Sequence, residues 1–164
     1  LVGSEMCIRD RFRYLFVLQA FTKIYAVPGI RLGYGISSDK ALLERMETVR
    51  QPWSVSTPAQ AAGLSALKED HREEQTRQLV KSERERMEKE LENLRIEYIP
   101  SEANFLLFNS EINWFEELKK RGILIRDCAN YRGLGNGWYR LAVRLPEEND
   151  RLLECMKQVL NERS

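Results

Sequence analysis

The sequence offers no histidine and cysteine set to a metal. Among 164 residues it has one histidine, His71, and three cysteines, none in a Cys-x-x-Cys pair. The usual zinc ligand spacings are therefore missing. An odd number of cysteines without paired spacing gives no disulfide framework and fits a reducing cytosol. Net charge is also lacking: 26 Lys and Arg against 25 Asp and Glu leave +1. That balance indicates neither nucleic acid nor an anionic membrane as partner. No apolar run approaches the ~20 residues a membrane helix needs. Linkers rich in Gly, Ser or Pro and internal repeats are absent too. What is present is 43% hydrophobic residues, enough to build a core for one domain or part of a larger one.

The first eleven residues, LVGSEMCIRDR, have neither an apolar stretch nor periodicity, so they do not form a signal peptide. Met6-Cys7-Ile8-Arg9-Asp10 is what ATG-TGT-ATA-AGA-GAC encodes, a string that resembles the transposase end of shotgun-sequencing adapters. Residues 1–11 are set aside from fold reasoning on that ground; a genuine leader is the alternative. The expectation that goes with it is a chain forming the C-terminal part of a longer product.

The remainder alternates between the two periodicities. Tyr14–Ala20 predicts a buried strand and Arg31–Ser37 a second. Asp39 predicts the cap of a helix to about Arg50, with Leu42, Leu43, Met46 and Val49 at helical spacing. Pro58 suits the first turn of a further helix, and Trp53 is expected to pack at its start. A charged helix from about His71 to Arg95 is expected to present a solvated face. Beyond it come short strands at IEYIPS, ANFLLFNS, ILIRDC and WYRLAVRL. They are interleaved with a helix capped by Gly122 and a final helix opened by Pro146. The fold class is α/β.

Residues 21–35, FTKIYAVPGIRLGYG, carry the most chemistry. A lysine between a strand end and a turn can reach a ligand while partly desolvated. Burial and nearby cations favour the neutral, nucleophilic amine, which forms a Schiff base with an aldehyde. Arg31 supplies a two-pronged donor for phosphate, and the Thr22 hydroxyl one more. Gly29 and Gly33 are expected to allow close backbone approach. By themselves these ingredients also describe a surface lysine and arginine beside a turn.

Taken as one string, the segment resembles the lysine motif of fold type I pyridoxal-phosphate enzymes, the aspartate-aminotransferase superfamily. There Ser/Thr-Lys is followed by an aromatic, a small-residue turn and Gly-x-Arg-x-Gly. The resemblance implies pyridoxal 5'-phosphate as cofactor, with Lys23 as its Schiff-base lysine. Arg31 and Thr22 are implied as cofactor ligands. Ala20 departs from the family, where many members have Ser or Thr, which puts one phosphate hydrogen bond in doubt. On this resemblance residues 12–95 are the end of a large cofactor-binding domain with its connecting helix. Residues 96–164 are then a small C-terminal α/β domain.

Two branches compete. QPWSVSTPAQ, ILIRDCANYRGL and YRLAVRLPEEN look more like the threonine-phosphate decarboxylases of cobalamin biosynthesis than like histidinol-phosphate aminotransferases. Either branch implies a cytoplasmic homodimer acting on a small phosphorylated amino compound. In both, the arginine at the position of Arg140 reaches the substrate's anionic group. Arg126 is the candidate for a second cation, with Arg132 the weaker choice and Asn130 and Tyr131 beside it. Cys128 is expected to be buried and inert. A non-catalytic fragment or an aminotransferase-like regulator domain stays open as a different class of answer.

Overall fold

The computed structural model of the chain describes residues 12, 14–69 and 71–163; the segment 1–11 lies outside them. The chain divides into two compact units, up to Glu74 and from Gln75. The division falls within the long helix, well before residue 95.

In the first unit, β1 (Phe16–Ala20) and β2 (Gly33–Ser37) pair antiparallel, from Phe16 opposite Ser37 to Ala20 opposite Gly33. No residue of β1 is buried, and Leu18 is 77% exposed. The expectation of a buried strand is corrected by the sheet itself. Its two strands have no third neighbour among the described residues, and burial of a strand needs cover on its faces. Between the strands lie a one-turn helix, α1 (Phe21–Ile24), and a 3-10 turn, Pro28–Ile30.

Helix α2 (Lys40–Val49) starts where expected, the Asp39 carboxylate accepting from the Leu42 amide at 3.0 Å. None of its residues is buried, and Met46 and Val49 are exposed. Helix α3 (Thr57–Ala66) is capped by Ser56 and has Pro58 in its first turn. Trp53 does not pack at that start. It lies in the preceding turn with φ 57°, 96% exposed.

Helix α4 (Arg72–Asn93) is the long charged helix. Its charge is not wholly solvated, because Glu83, Arg84, Met87 and Leu91 are buried. In the second unit its later turns join a four-stranded antiparallel sheet. The strands are β3 (Glu97–Ile99), β4 (Phe105–Asn109), β5 (Arg126–Asp127) and β6 (Trp138–Ala142), in the order β3-β4-β6-β5. Alternation divides the two central strands. Leu106 and Phe108 of β4, with Tyr139 and Leu141 of β6, face the core. Phe105, Leu107, Trp138 and Arg140 take the opposite face.

Two helices complete that core. The first is α5 (Trp114–Lys120), capped by Asn113 and ended by Gly122, whose φ of 74° suits a residue without a Cβ. The second is α6 (Pro146–Asn161), whose spacing predicts one apolar face of Leu152, Leu153, Met156, Val159 and Leu160; the first four are buried and Leu160 is half-buried.

One buried polar knot fastens α6 to α4. Asn149, 1% exposed, donates from Nδ2 to Glu83 at 2.7 Å and to the Arg144 carbonyl at 2.9 Å. Its Oδ1 accepts from the Arg144 amide at 3.0 Å. Arg86 bonds Glu83 and Asp150, both at 2.7 Å. With its partners supplied, the group avoids the cost of buried unpaired polar atoms.

Candidate active site

The lysine segment hangs from a hairpin. Ala20 opposite Gly33 is the last pair of the β1–β2 ladder, and the Phe21 amide donates to the Leu32 carbonyl at 3.1 Å just beyond it. Everything from Phe21 to Leu32 is therefore one loop closed at its neck. Thr22 and Lys23 sit just inside one end, and Arg31 just inside the other. Gly33 is needed at the neck, since a Cβ there would come 2.7 Å from the Gln19 carbonyl oxygen.

Phe21 anchors the loop. It is 6% exposed and stacks on Tyr25 with ring centroids 5.1 Å apart. The Tyr25 hydroxyl donates to Glu73 at 2.9 Å. Burial first, then that carboxylate, push the Tyr25 phenol above its ordinary value. This phenol serves structure and is badly placed on the pKa scale to give up a proton near neutrality.

Two expectations about the loop change. Lys23 is exposed, so the described residues do not supply the burial expected around it. Gly29 needs no glycine by either test, having open space at its Cβ position and no left-handed φ. The left-handed residues are Ala26, at φ 53°, and Arg31, at φ 57° and ψ 47°. An arginine held there costs about 1–2 kcal/mol relative to the right-handed region. Such strain persists where surroundings over-determine it, often at functional positions. Arg31 Nη1 donates to the Pro28 carbonyl at 3.2 Å, which ties the guanidinium to its own turn. Its other donors have no carboxylate partner among the described residues.

The donor set suits a phosphorylated aldehyde. Residues 21–32 contain one lysine, one arginine and a threonine hydroxyl, and no Asp or Glu to neutralise them. The amine answers the aldehyde; the guanidinium and hydroxyl answer the phosphate.

The second unit holds the other two candidates. Arg140 lies on β6, an inner strand, and pairs directly with Arg126 of β5 and Leu107 of β4. It is not an edge-strand arginine pointing into water. Directly opposed residues share a sheet face, and like charges so placed repel. Neither arginine has a carboxylate partner among the described residues. The Arg140 guanidinium carbon stands 5.1 Å from the Phe105 ring centroid. That of Arg126 stands 5.4 Å from the Tyr131 ring, and its Nη2 donates to Asn130 Oδ1 at 2.9 Å. Arg132 is exposed on the same loop.

Cys128 is fully buried. Burial pushes its thiol up, against the opposing pull of Arg140 and Arg126, so the thiolate is disfavoured. Phe105 is the residue that sequence reasoning passed over. Its signal was alternation along β4, which puts Phe105 on the face away from Leu106 and Phe108.

Similarity to known proteins gives the family of this mixed α/β chain. The match to the family described as aminotransferase class I and II runs over residues 6–155, and the chain belongs to that family. It is 39% identical over 151 residues to the threonine-phosphate decarboxylase of Salmonella typhimurium, covering 90% of this chain and 42% of that protein. To the histidinol-phosphate aminotransferase of Symbiobacterium thermophilum it is 38% identical over 162 residues, covering 97% and 44%. The crystal structure of the histidinol-phosphate aminotransferase from Clostridium acetobutylicum superposes with a TM-score of 0.89 at 31% identity, covering 96% of this chain and 49% of that one. The chain thus spans less than half the length of the relatives it matches.

Proposed function

We propose that this chain belongs to a pyridoxal-phosphate enzyme that decarboxylates L-threonine O-3-phosphate to (R)-1-aminopropan-2-yl phosphate, a step serving cobalamin synthesis in the cytosol. Residues 12–95 are then the end of its large domain and residues 96–164 its small domain, and the working enzyme is a homodimer. The observation that carries the reading is the loop closed by Ala20 and Gly33. That loop keeps an amine, a hydroxyl and a strained arginine together without a neutralising carboxylate. When bound, the cofactor supplies an electron sink for the bond broken at the substrate's α-carbon.

Each residue has a stated task. Lys23 Nζ would hold the cofactor through its aldehyde and, when not so engaged, would carry the proton that takes the place of the departing carboxylate. Arg31 and the Thr22 hydroxyl bind the cofactor phosphate. Arg140 and Arg126 bind the two anionic groups of the substrate. Orientation matters because only one bond at the substrate's α-carbon is to be broken, and a guanidinium on a strand fixes a carboxylate in one plane.

The opposed pair favours decarboxylation, since threonine phosphate brings both a carboxylate and a phosphate. The alternative is amino transfer from histidinol phosphate, which brings only the phosphate. It is favoured by 38% identity over 97% of the chain. The holoenzyme is offered each substrate separately. Carbon dioxide release from threonine phosphate without a keto-acid acceptor is the expected result. Amino transfer from histidinol phosphate to 2-oxoglutarate, with no carbon dioxide from threonine phosphate, would replace it with the alternative. Borohydride reduction and peptide mapping are expected to label Lys23; label on another lysine would remove its assignment.

A further inference from the structure

The two opposed arginines raise a question of placement. Side chains directly across an antiparallel pair are close neighbours, so two unneutralised guanidinia at that position could converge on one anion. The contacts around them act against convergence. Phe105 of β4 pairs with Ala142 of β6, and β4 lies on the far side of β6 from β5. Arg140, drawn over the Phe105 ring, therefore leans away from Arg126. Arg126 is held by Asn130 and Tyr131, on the turn that follows β5.

That turn is itself fixed to the sheet. The Cys128 amide donates to the Trp138 carbonyl at 2.8 Å, and the Tyr131 amide to the Cys128 carbonyl at 2.9 Å. The Asp127 carboxylate accepts from the Ala129 amide at 2.9 Å, so the acid next in sequence to Arg126 is engaged with backbone. The ring and amide that hold Arg126 thus come from an ordered support, and the guanidinium is oriented before any ligand arrives.

We infer that Asn130 and Tyr131 are positioning residues for Arg126, and Phe105 for Arg140. By drawing the two guanidinia to different partners, they make this sheet face select ligands with two separated anionic groups over ligands with one. The inference rests on the reading of Arg126 and Arg140 as substrate arginines, and adds which neighbours set the spacing. A guanidinium on a ring face leaves its in-plane N–H groups free to bind an anion. The aromatic supports therefore orient the cations without consuming their donors, which a carboxylate partner would do.

The test uses the 164-residue chain with three probes: O-phospho-L-threonine, inorganic phosphate and L-threonine. Binding is followed through the Nε–H resonances of the arginines, which also report the ring-current shift from each aromatic. Tyr131→Leu is expected to weaken O-phospho-L-threonine binding by about fivefold, the equivalent of one exposed cation–π contact, and Asn130→Ala, which removes a hydrogen bond to a charged group, by at least as much. Phosphate binding stays unchanged, so the preference for the two-anion ligand narrows. Tyr131→Phe, which keeps the ring, restores both the preference and the Arg126 shift. Phe105→Leu moves the Arg140 resonance, and Phe105→Tyr restores it.

Equal losses for all three probes would overturn the inference, because a general disturbance of the unit has no reason to distinguish ligands. Unchanged affinities in Tyr131→Leu, Asn130→Ala and Phe105→Leu would overturn it too. If in that case Arg126→Ala and Arg140→Ala still abolish binding, the substrate-arginine reading stands without the positioning residues. If those two variants bind as the parent does, the reading itself falls.

Discussion

The unit up to Glu74 buries two apolar side chains among its described residues, Phe21 and Ala59, while the unit from Gln75 buries a cluster of fourteen. Both are built from capped helices and antiparallel strands. Fully burying one large apolar side chain contributes about 1.5–3 kcal/mol, so the second unit has a source of stability that the first lacks. The difference shows that well-formed local structure and a core are separate achievements. Asp39 and Ser56 cap their helices correctly in the unit without a core. The difference also falls along the proposed division of labour. The lysine loop belongs to the unit with little packing, and the arginine pair to a sheet whose other face is tightly filled.

Hydrogen exchange on the whole chain offers the largest contrast. Amides of β4 and β6 are expected to be protected more than those of β1 and β2 by a factor on the order of a thousand. Equal protection would erase the comparison. Core truncation comes next. Phe108→Ala, which empties a fully buried position, is expected to cost about 3–5 kcal/mol in denaturant unfolding. Leu18→Ala, at a site 77% exposed, is expected to stay within about 0.5 kcal/mol.

Acid should act on the second unit through Glu83. Its hydrogen bond to Arg86 holds the carboxyl below its ordinary value of 4.5, against the effect of burial, with Asn149 adding to the pull. A lowered carboxyl pKa stabilises above that ordinary value, and the contribution is lost as pH falls through the lowered one. The thermal stability of the second unit should therefore fall on acidification below about pH 4.5, and Glu83→Gln should flatten that dependence. An unaltered acid limb in the variant would remove Glu83 from the account.

The smallest effect is alkaline and sets two similar bonds side by side. Tyr25 donates to Glu73 in the first unit, and Tyr98 to Glu92, at 2.6 Å, in the second. The Glu92 bond, with some burial, pushes Tyr98 up to about 12. The stabilisation is present below the ordinary value of 10.0 and fades as pH rises through the raised one. Ultraviolet titration should show one phenol ionising near 12, and Glu92→Gln should bring it down.

Much of the chain was legible in the sequence because much of it is local. Asp39, Gly122 and Pro146 mark helix ends through contacts only a few residues away, and the structure has them there. The spacing of Leu152, Leu153, Met156 and Val159 needed only a helical period to be read as one buried face. The lysine loop was legible for a similar reason: its residues are consecutive, and its closure joins strand ends a short distance apart. Where the reading failed, the deciding partner was remote or absent. Gly29 was assigned a steric task that the loop gives to Gly33, through the Gln19 carbonyl across the ladder. Trp53 and the apolar side of α2 were expected to pack, but packing needs a second surface, and periodicity reports only the first.

The arginine pair marks the same boundary. Sequence could propose Arg126 and Arg140 only one at a time, Arg126 as a cation beside a glycine-rich loop and Arg140 by its place in a strand that resembles the family's. It determined the alternation of β4 and β6, the caps and the content of the lysine loop, since those depend on near neighbours along the chain. Only tertiary structure decided that β6 lies between β4 and β5, that Arg140 faces Arg126, and that Phe105 and Tyr131 hold them toward different partners. Strand order and register are set by a core assembled from distant segments, and a shift of one residue would turn every one of these side chains to the other face.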